Sequence, residues 1–277
     1  MKVLVTGAGG QLGRALRPAL REHEVAILTR AQLDITDEAA VREAMGANRP
    51  DLVLNAAAYN AVDRAETDRE AAFAVNATGP GLLATAAAEA GAAILHVSSD
   101  YVFDGEKGAP YDENDRPRPL SVYGQSKLLG EEAVRAANPR HYIVRTAWVY
   151  ATVGKNFPLT ILDLAKQGPV RVVDDQWGSP TYAPHLAEAM AQLIETEAFG
   201  LWHLAGGGEA SWYELTRELF RLRGVLTPLT PVKTSAFPRP ARRPRRASLI
   251  SVRADPTLRL PAWGEGLREF ADDVVSA

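Results

Sequence analysis

The chain has no cysteine in its 277 residues, which excludes a disulfide framework, thiolate metal sites and thiol nucleophiles and fits a reducing compartment. It has no surplus of positive charge either. Lys and Arg number 31 against 34 Asp and Glu, a net charge of −3, so no global field exists to hold a polyanion and nucleic acid is not an expected partner. The longest apolar stretch, residues 82–95, is interrupted by Glu89 and Gly91 and falls short of the roughly 20 residues a membrane helix needs. The start meets Gly7 too soon for the apolar core of a signal peptide, so a cytoplasmic protein without membrane contact is expected. The histidines, His23, His96, His141, His185 and His203, lack the i, i+3 or i, i+4 pairing of a zinc site, and no metal site is expected from them.

With 46% hydrophobic and 23% charged residues, the composition is that of a folded globular chain. At about 150 residues per domain, the length suggests one large domain or a domain with a smaller lobe. Short β-branched runs at 2–6, 24–29, 52–57 and 94–99 alternate with alanine-rich amphipathic stretches. Two-residue hairpin turns are missing between them, so the strands must be joined by helical crossovers. That predicts an α/β fold, a Rossmann-type doubly wound parallel sheet. Further strands are expected at 142–146, 171–173 and 201–204, and composition shifts toward Gly, Pro, Trp and Arg beyond residues 152 and 205. The expected division is a dinucleotide-binding domain of residues 1–150 and 183–204, with a smaller substrate-binding lobe of 151–182 and 205–277. Ligands should lie beyond the carboxyl ends of the strands.

The first strand runs into Thr6-Gly7-Ala8-Gly9-Gly10-Gln11-Leu12-Gly13 and then a helix. Glycines at this junction allow a tight turn and close backbone approach, and the free N–H groups at the helix start favour a pyrophosphate. The bland alternative is a strand-to-helix turn without a ligand. At the end of the second strand Arg30 would accept a 2′-phosphate, which favours NADP(H). Asp34, just before Ile35, could instead bond a ribose hydroxyl, which keeps NAD(H) open.

Tyr123 and Lys127 stand at i and i+4 at the front of an amphipathic stretch, so they share one helix face. An adjacent ammonium should stabilise the phenolate and lower the tyrosine pKa, fitting it for acid–base work. A tyrosine and a lysine four apart are common, but Ser98-Ser99 at the end of the fourth strand adds a hydroxyl to the set. The T-G-x-x-G-x-x-G loop, Asn55-Ala56-Ala57-Ala58, the strand-tip serine and Y-x-x-x-K together resemble the extended short-chain dehydrogenase/reductases. Ser99-Asp100-Tyr101-Val102-Phe103-Asp104-Gly105, Arg145-Thr146-Ala147-Trp148, Asp175-Gln176-Trp177-Gly178-Ser179-Pro180-Thr181 and Pro240-Ala241-Arg242-Arg243-Pro244 narrow the resemblance to that family's reductases of dTDP-linked 4-ketosugars.

The resemblance implies Ser99, Tyr123 and Lys127 as the catalytic set. It implies cofactor contacts from Gly7, Gly10, Gln11, Leu12, Arg30, Asp34, Ile35, Ala56, Ala57, Ala58, Tyr59, Tyr123 and Lys127, and substrate contacts from Ser99, Asp100, Tyr101, Trp148, Asn156 and Arg242, with Val62 at the rim. The expected substrate is a nucleotide-sugar of cell-wall polysaccharide synthesis. A homodimer is compatible with the family, and a divalent ion such as Mg2+ is associated with its dimer contact, although no ligands for one can be placed here. The dehydratases of the family follow the hydroxyl residue with Asp-Glu, whereas here Asp100 precedes Tyr101, which suits reduction without elimination. A 4-epimerase, another ketosugar reductase, and a non-catalytic subunit like that of methionine adenosyltransferase remain as alternatives. Asp174-Asp175 is read as a loop turn, since adjacent residues on an extended chain point oppositely.

Overall fold

The computed structural model describes residues 1–275. Its first half alternates β1 (Lys2–Thr6), α1 (Gln11–Ala19), β2 (Glu24–Leu28), α2 (Glu38–Asn48), β3 (Leu52–Asn55), α3 (Val62–Ala65), α4 (Arg69–Phe73), α5 (Gly79–Glu89), β4 (Ala93–Ser99), α6 (Val122–Ala137) and β5 (His141–Thr146). There follow β6 (Val149–Tyr150), α7 (Phe157–Ala165), β7 (Val170–Val173), β8 (Trp177–Gly178), β9 (Thr181–Tyr182), α8 (Ala183–Ile194) and β10 (Gly200–His203). The chain continues through β11 (Ala210–Ser211), α9 (Trp212–Arg223), β12 (Leu229–Val232) and α10 (Trp263–Val275).

The main sheet has the order β10-β5-β4-β3-β1-β2, and every neighbouring pair in it is parallel. All its strands therefore end on one edge, and the order reverses between β1 and β3, where open α/β sheets bind ligands. Alternation along β1 shows how both faces are covered. Val3 and Val5 join Leu12 and Leu16 of α1 and Leu186 and Met190 of α8, while Leu4 joins Val41 of α2, Leu83 of α5 and Val134 of α6.

Two strands differ from what the sequence suggests, one in length and one in pairing. β3 ends at Asn55 rather than at residue 57 because the Asn55 side chain turns the chain: its Oδ1 accepts from Thr6 Oγ1 at 2.7 Å and from Ala57 N at 3.1 Å. The strand expected at 171–173 forms as β7 but pairs with β12, outside the main sheet. The helical run Arg69–Glu89 has a mean hydropathy of 1.2 and meets the length and composition of a membrane span, which the sequence reading overlooked. Here it is α4, a π-turn and α5, a core element with Leu83, Ala84 and Ala87 fully buried against the sheet.

Helix α6 is seated tightly. A Cβ at Gly130 would lie 2.1 Å from the Asn76 carbonyl oxygen, so only glycine permits this approach. One position further on, buried Glu131 accepts from Arg145 Nε at 2.8 Å and Nη2 at 2.7 Å, and from Ser98 Oγ at 2.5 Å. Removing one partner leaves a buried guanidinium uncompensated. Glu131→Gln is expected to lose about 3–5 kcal/mol of stability in urea unfolding. A double change to apolar residues, Glu131→Leu with Arg145→Met, should recover much of that loss.

Candidate active site

Two adjoining cavities open at the carboxyl edge of the sheet. One, of about 280 Å³, is lined by Gly7, Gly10, Arg30, Asp34, Ile35, Ala57 and Tyr59. The other, of about 420 Å³, is lined by Gln11, Leu12, Val62, Ser99, Asp100, Tyr101, Tyr123, Lys127, Trp148 and Trp212. Gly10, Ala56, Ala58 and Asn60 border both.

The first cavity has the features of a dinucleotide groove. Gly7 has φ +74°, and a Cβ there would lie 2.4 Å from Ala57 N. Helix α1 starts behind Gly10 with no side chain capping it, which leaves its first turn available to an anion. At the far end the Arg30 guanidinium is 4.0 Å from the Asp34 carboxylate. Hydrogen bonds from Thr36 N at 3.0 Å and Thr36 Oγ1 at 2.7 Å hold the Asp34 carboxyl below its ordinary pKa, so it is ionised. An arginine and an acid thus share this rim, and the residues fit a nicotinamide dinucleotide with or without a 2′-phosphate.

The second cavity gathers the reactive groups. Ser99 ends β4 and enters a 3-10 turn; its Oγ accepts from Tyr101 N at 3.2 Å and lies 2.9 Å from Asp100 Oδ1. Ser121 caps α6 by accepting from Gly124 N, and one turn apart on that helix Tyr123 and Lys127 are both buried. The Tyr123 hydroxyl donates to Asn60 Oδ1 at 3.4 Å, and Lys127 Nζ donates to the Val97 carbonyl at 2.7 Å.

The expected tuning of tyrosine by lysine is not present in this arrangement. Burial pushes the Tyr123 phenol well above its ordinary value, with the Ser99 hydroxyl pulling it back only in part. Burial also brings Lys127 down to about 8, opposed by Glu131. The low-dielectric site disfavours the charged form of both groups, and the Lys127 ammonium donates to the Val97 carbonyl rather than to the phenol. Asp100 is likewise buried, and burial raises its carboxyl to about 7 despite the Ser99 hydrogen bond.

On the substrate side the indoles of Trp148 and Trp212 stack with centroids 3.3 Å apart and planes at 2°. A Cβ at Gly178 would sit 2.4 Å from Trp148 Cε2, so the glycine makes room for that indole. Tyr101 and Trp212 also border a third cavity of about 500 Å³, with Asp63, Arg171, Gln176, Arg239 and Arg243. Arg243 reaches both oxygens of Asp63, with Nη2 2.8 Å from Oδ2.

Two residues expected at the substrate lie elsewhere. Arg242 points outward, 69% exposed and 3.7 Å from Glu106, whereas its neighbours in the same segment, Arg239 and Arg243, line the third cavity together with Arg171. Asn156 does not line the catalytic cavity; it caps α7 by accepting from Leu159 N at 3.0 Å and donates to Gln11 Oε1 at 2.9 Å. Asn60, Trp212 and Asp63 were not foreseen as site residues, and Arg243 entered only as part of the Arg242-Arg243 motif. Asp174 and Asp175 pair with Lys233 and Thr234. Among the described residues no group of three or more His, Asp and Glu is placed to hold a metal ion.

A glycine-lined groove meeting a buried Ser-Tyr-Lys set at the edge of a parallel sheet defines a nicotinamide-dependent oxidoreductase of the extended short-chain class. The chain belongs to the RmlD family, whose model, described as "RmlD substrate binding domain", matches residues 1–276. A dTDP-4-dehydrorhamnose reductase of Sinorhizobium fredii is 40% identical, over 98% of this chain and 96% of that protein. A solved dTDP-4-dehydrorhamnose reductase of Clostridium acetobutylicum superposes with a TM-score of 0.96 at 41% identity, covering 100% of both chains. That of Bacillus anthracis, solved in complex with NADP, gives a TM-score of 0.96 at 36% identity over 98% of this chain and 99% of that one.

The buried Asp100 makes stability depend on pH. Its carboxyl rises from an ordinary 3.8 to about 7, so the stability it contributes is fully present below about 3.8 and is lost as pH climbs through about 7. Asp100→Asn is therefore expected to raise the urea midpoint relative to the native chain more at pH 8 than at pH 5. An equal offset at both pH values would contradict the raised pKa.

Proposed function

We propose that this chain reduces the C4 ketone of dTDP-4-dehydro-β-L-rhamnose to dTDP-L-rhamnose, with NADPH as the favoured reductant and NADH usable. The observation that carries the reading is the lining of one cavity by Ser99, Tyr123 and Lys127 next to the glycine groove, in a chain of the RmlD family. A dihydronicotinamide bound in that groove supplies the hydride. Residues 1–150 and 183–204 hold the dinucleotide, with Gly7, Gly10, Gln11 and Leu12 at its diphosphate and Arg30 or Asp34 at its adenosine ribose. The lobe of 151–182 and 205–277 closes on the nucleotide-sugar. The enzyme is read as cytoplasmic.

In this reading Tyr123 donates its hydroxyl proton to the ketone oxygen, and Ser99 adds a second hydrogen bond to the charge that develops there. The raised pKa of Tyr123 keeps it protonated until the oxygen becomes basic. Lys127, partly neutral near pH 8, holds the strand tip through Val97 and brings a donor close to the reacting groups. Trp148 and Tyr101 wall the sugar. Arg243 and Arg239 suit its diphosphate, since a guanidinium fork matches phosphate oxygens. The missing acid pair after Ser99 leaves no group positioned as in the dehydratases.

Enzyme, NADPH and dTDP-4-dehydrorhamnose together should consume NADPH stoichiometrically; interconversion of sugars without net consumption would mean an epimerase, and silence a binding protein. Tyr123→Phe should lower turnover by about 10²- to 10⁴-fold while NADPH affinity is kept. Arg30→Ala should weaken NADPH about tenfold relative to NADH, the loss of about 1.4 kcal/mol of phosphate contact, read by fluorescence titration of each cofactor.

A further inference from the structure

We infer that Asp100 is a positioning residue for the reduction: held in its acid form, it turns the single proton of Ser99 into the cavity, toward the ketone oxygen. The inference rests on the reductase reading of the site and concerns a residue that is not itself required to touch the reacting atoms.

A serine hydroxyl carries one proton and two lone pairs. At Ser99 the Tyr101 N–H already occupies one lone pair, at 3.2 Å, and Asp100 Oδ1 stands 2.9 Å away. An ionised Asp100 can only accept, so it would draw the Ser99 proton onto itself and leave nothing for the substrate. A protonated Asp100 donates to the second lone pair instead. With both lone pairs engaged, the Ser99 proton is turned to the cavity side, where the Tyr123 hydroxyl also lies. The charge state of one carboxyl thus decides whether Ser99 is a donor to the reacting oxygen.

The surroundings favour the acid. Asp100 is 2% exposed, and its Oδ2 is buried with no hydrogen-bond partner, a situation a neutral carboxyl tolerates far better than a carboxylate. Among the described residues Asp100 forms no ion pair. The groups around it are Tyr101 on its own turn, Tyr123, Lys127 and Glu131 on the packed helix α6, and Asp63 with Arg243 beyond Tyr101. The cations among them are engaged elsewhere: Lys127 by the Val97 carbonyl, Arg243 by Asp63. Desolvation therefore prevails, and the carboxyl stands near 7.

The test is the single-turnover rate of NADPH oxidation by dTDP-4-dehydrorhamnose from pH 5.5 to 9, in the native enzyme and in Asp100→Asn. The native rate should fall about tenfold between pH 6 and 8 as Asp100 ionises. Asp100→Asn, which cannot ionise, should lack that fall, whichever end of its amide meets Ser99; an unchanged fall overturns the inference. Should the variant be too slow to profile, infrared difference spectra of the native protein provide the second reading. They should contain the carbonyl band of a buried protonated carboxyl that disappears as pH passes about 7 and is missing from Asp100→Asn. A native spectrum without that band at pH 6 also overturns the inference. The two readings fail separately: a native enzyme that oxidises no NADPH removes the reductase, while the infrared band still reports on Asp100.

Discussion

Everything reactive in this molecule hangs on the way α6 is pressed against β4. Tyr123, Lys127 and Glu131 are successive turns of that helix, and two of them grip the strand directly: Lys127 at the Val97 carbonyl and Glu131 at Ser98. The strand is thereby fixed at the two residues before Ser99, so the distance between the serine and the phenol is set by helix–strand contacts and not by the loop between them. Arg145 extends the grip to β5, since its guanidinium meets both oxygens of Glu131. The same helix reaches the cofactor wall. Asn76 donates to Ser126 Oγ at 3.0 Å and to the Tyr59 carbonyl at 3.1 Å, while its Oδ1 accepts from Tyr59 N at 2.8 Å. A shift of α6 would move all of these together.

Such a site opposes folding locally. Asp100, Tyr123, Lys127 and His96 are all desolvated, and the His96 Nε2 has no partner although Asn55 meets its Nδ1 at 3.1 Å. Burying ionisable groups without full pairing is unfavourable, and the compensation has to come from the two apolar layers that cover the sheet. Desolvation disfavours the charged form of each of these groups: it raises the Asp100 carboxyl and the Tyr123 phenol and lowers Lys127 and His96. Glu131 and Arg145 are by contrast matched fork to carboxylate, and their contacts tie α6 to β5.

How much of this could be read from the sequence follows from how local each signal is. The parallel sheet was legible because β-branched runs recur without hairpin turns, and the glycine loop because its spacing is contiguous. Tyr123 and Lys127 were legible as a pair because helical periodicity puts i and i+4 together. What Lys127 bonds was not, because a backbone carbonyl such as that of Val97 leaves no mark in residue identity. Arg242 and Arg243 are neighbours in an irregular, proline-rich segment with no period to tell which faces inward, and it is Arg243 that lines the cavity. Asn156 has the composition of a ligand contact and of a helix cap alike, and only its bond from Leu159 N identifies the cap. Trp212 lies 64 positions from Trp148, and nothing between them announces the stack.

That stack bears on how recognition and chemistry are divided. Trp148 sits at φ +47°, an unfavourable conformation for a bulky residue, and it persists because three segments hold it. Its carbonyl accepts from Thr181 N at 3.2 Å, its indole occupies the space left by Gly178, and its face meets Trp212. The pairing of β8 with β11 sets Ala210 opposite Gly178 and Ser211 opposite Trp177, which delivers Trp212 beside that strand. This wall of the cavity is thus built from three segments around residues 148, 178–181 and 210–212, whereas Ser99, Tyr123 and Lys127 all come from β4 and α6. Changes in those three segments can therefore reshape this wall of the cavity while Ser99, Tyr123 and Lys127 keep their positions.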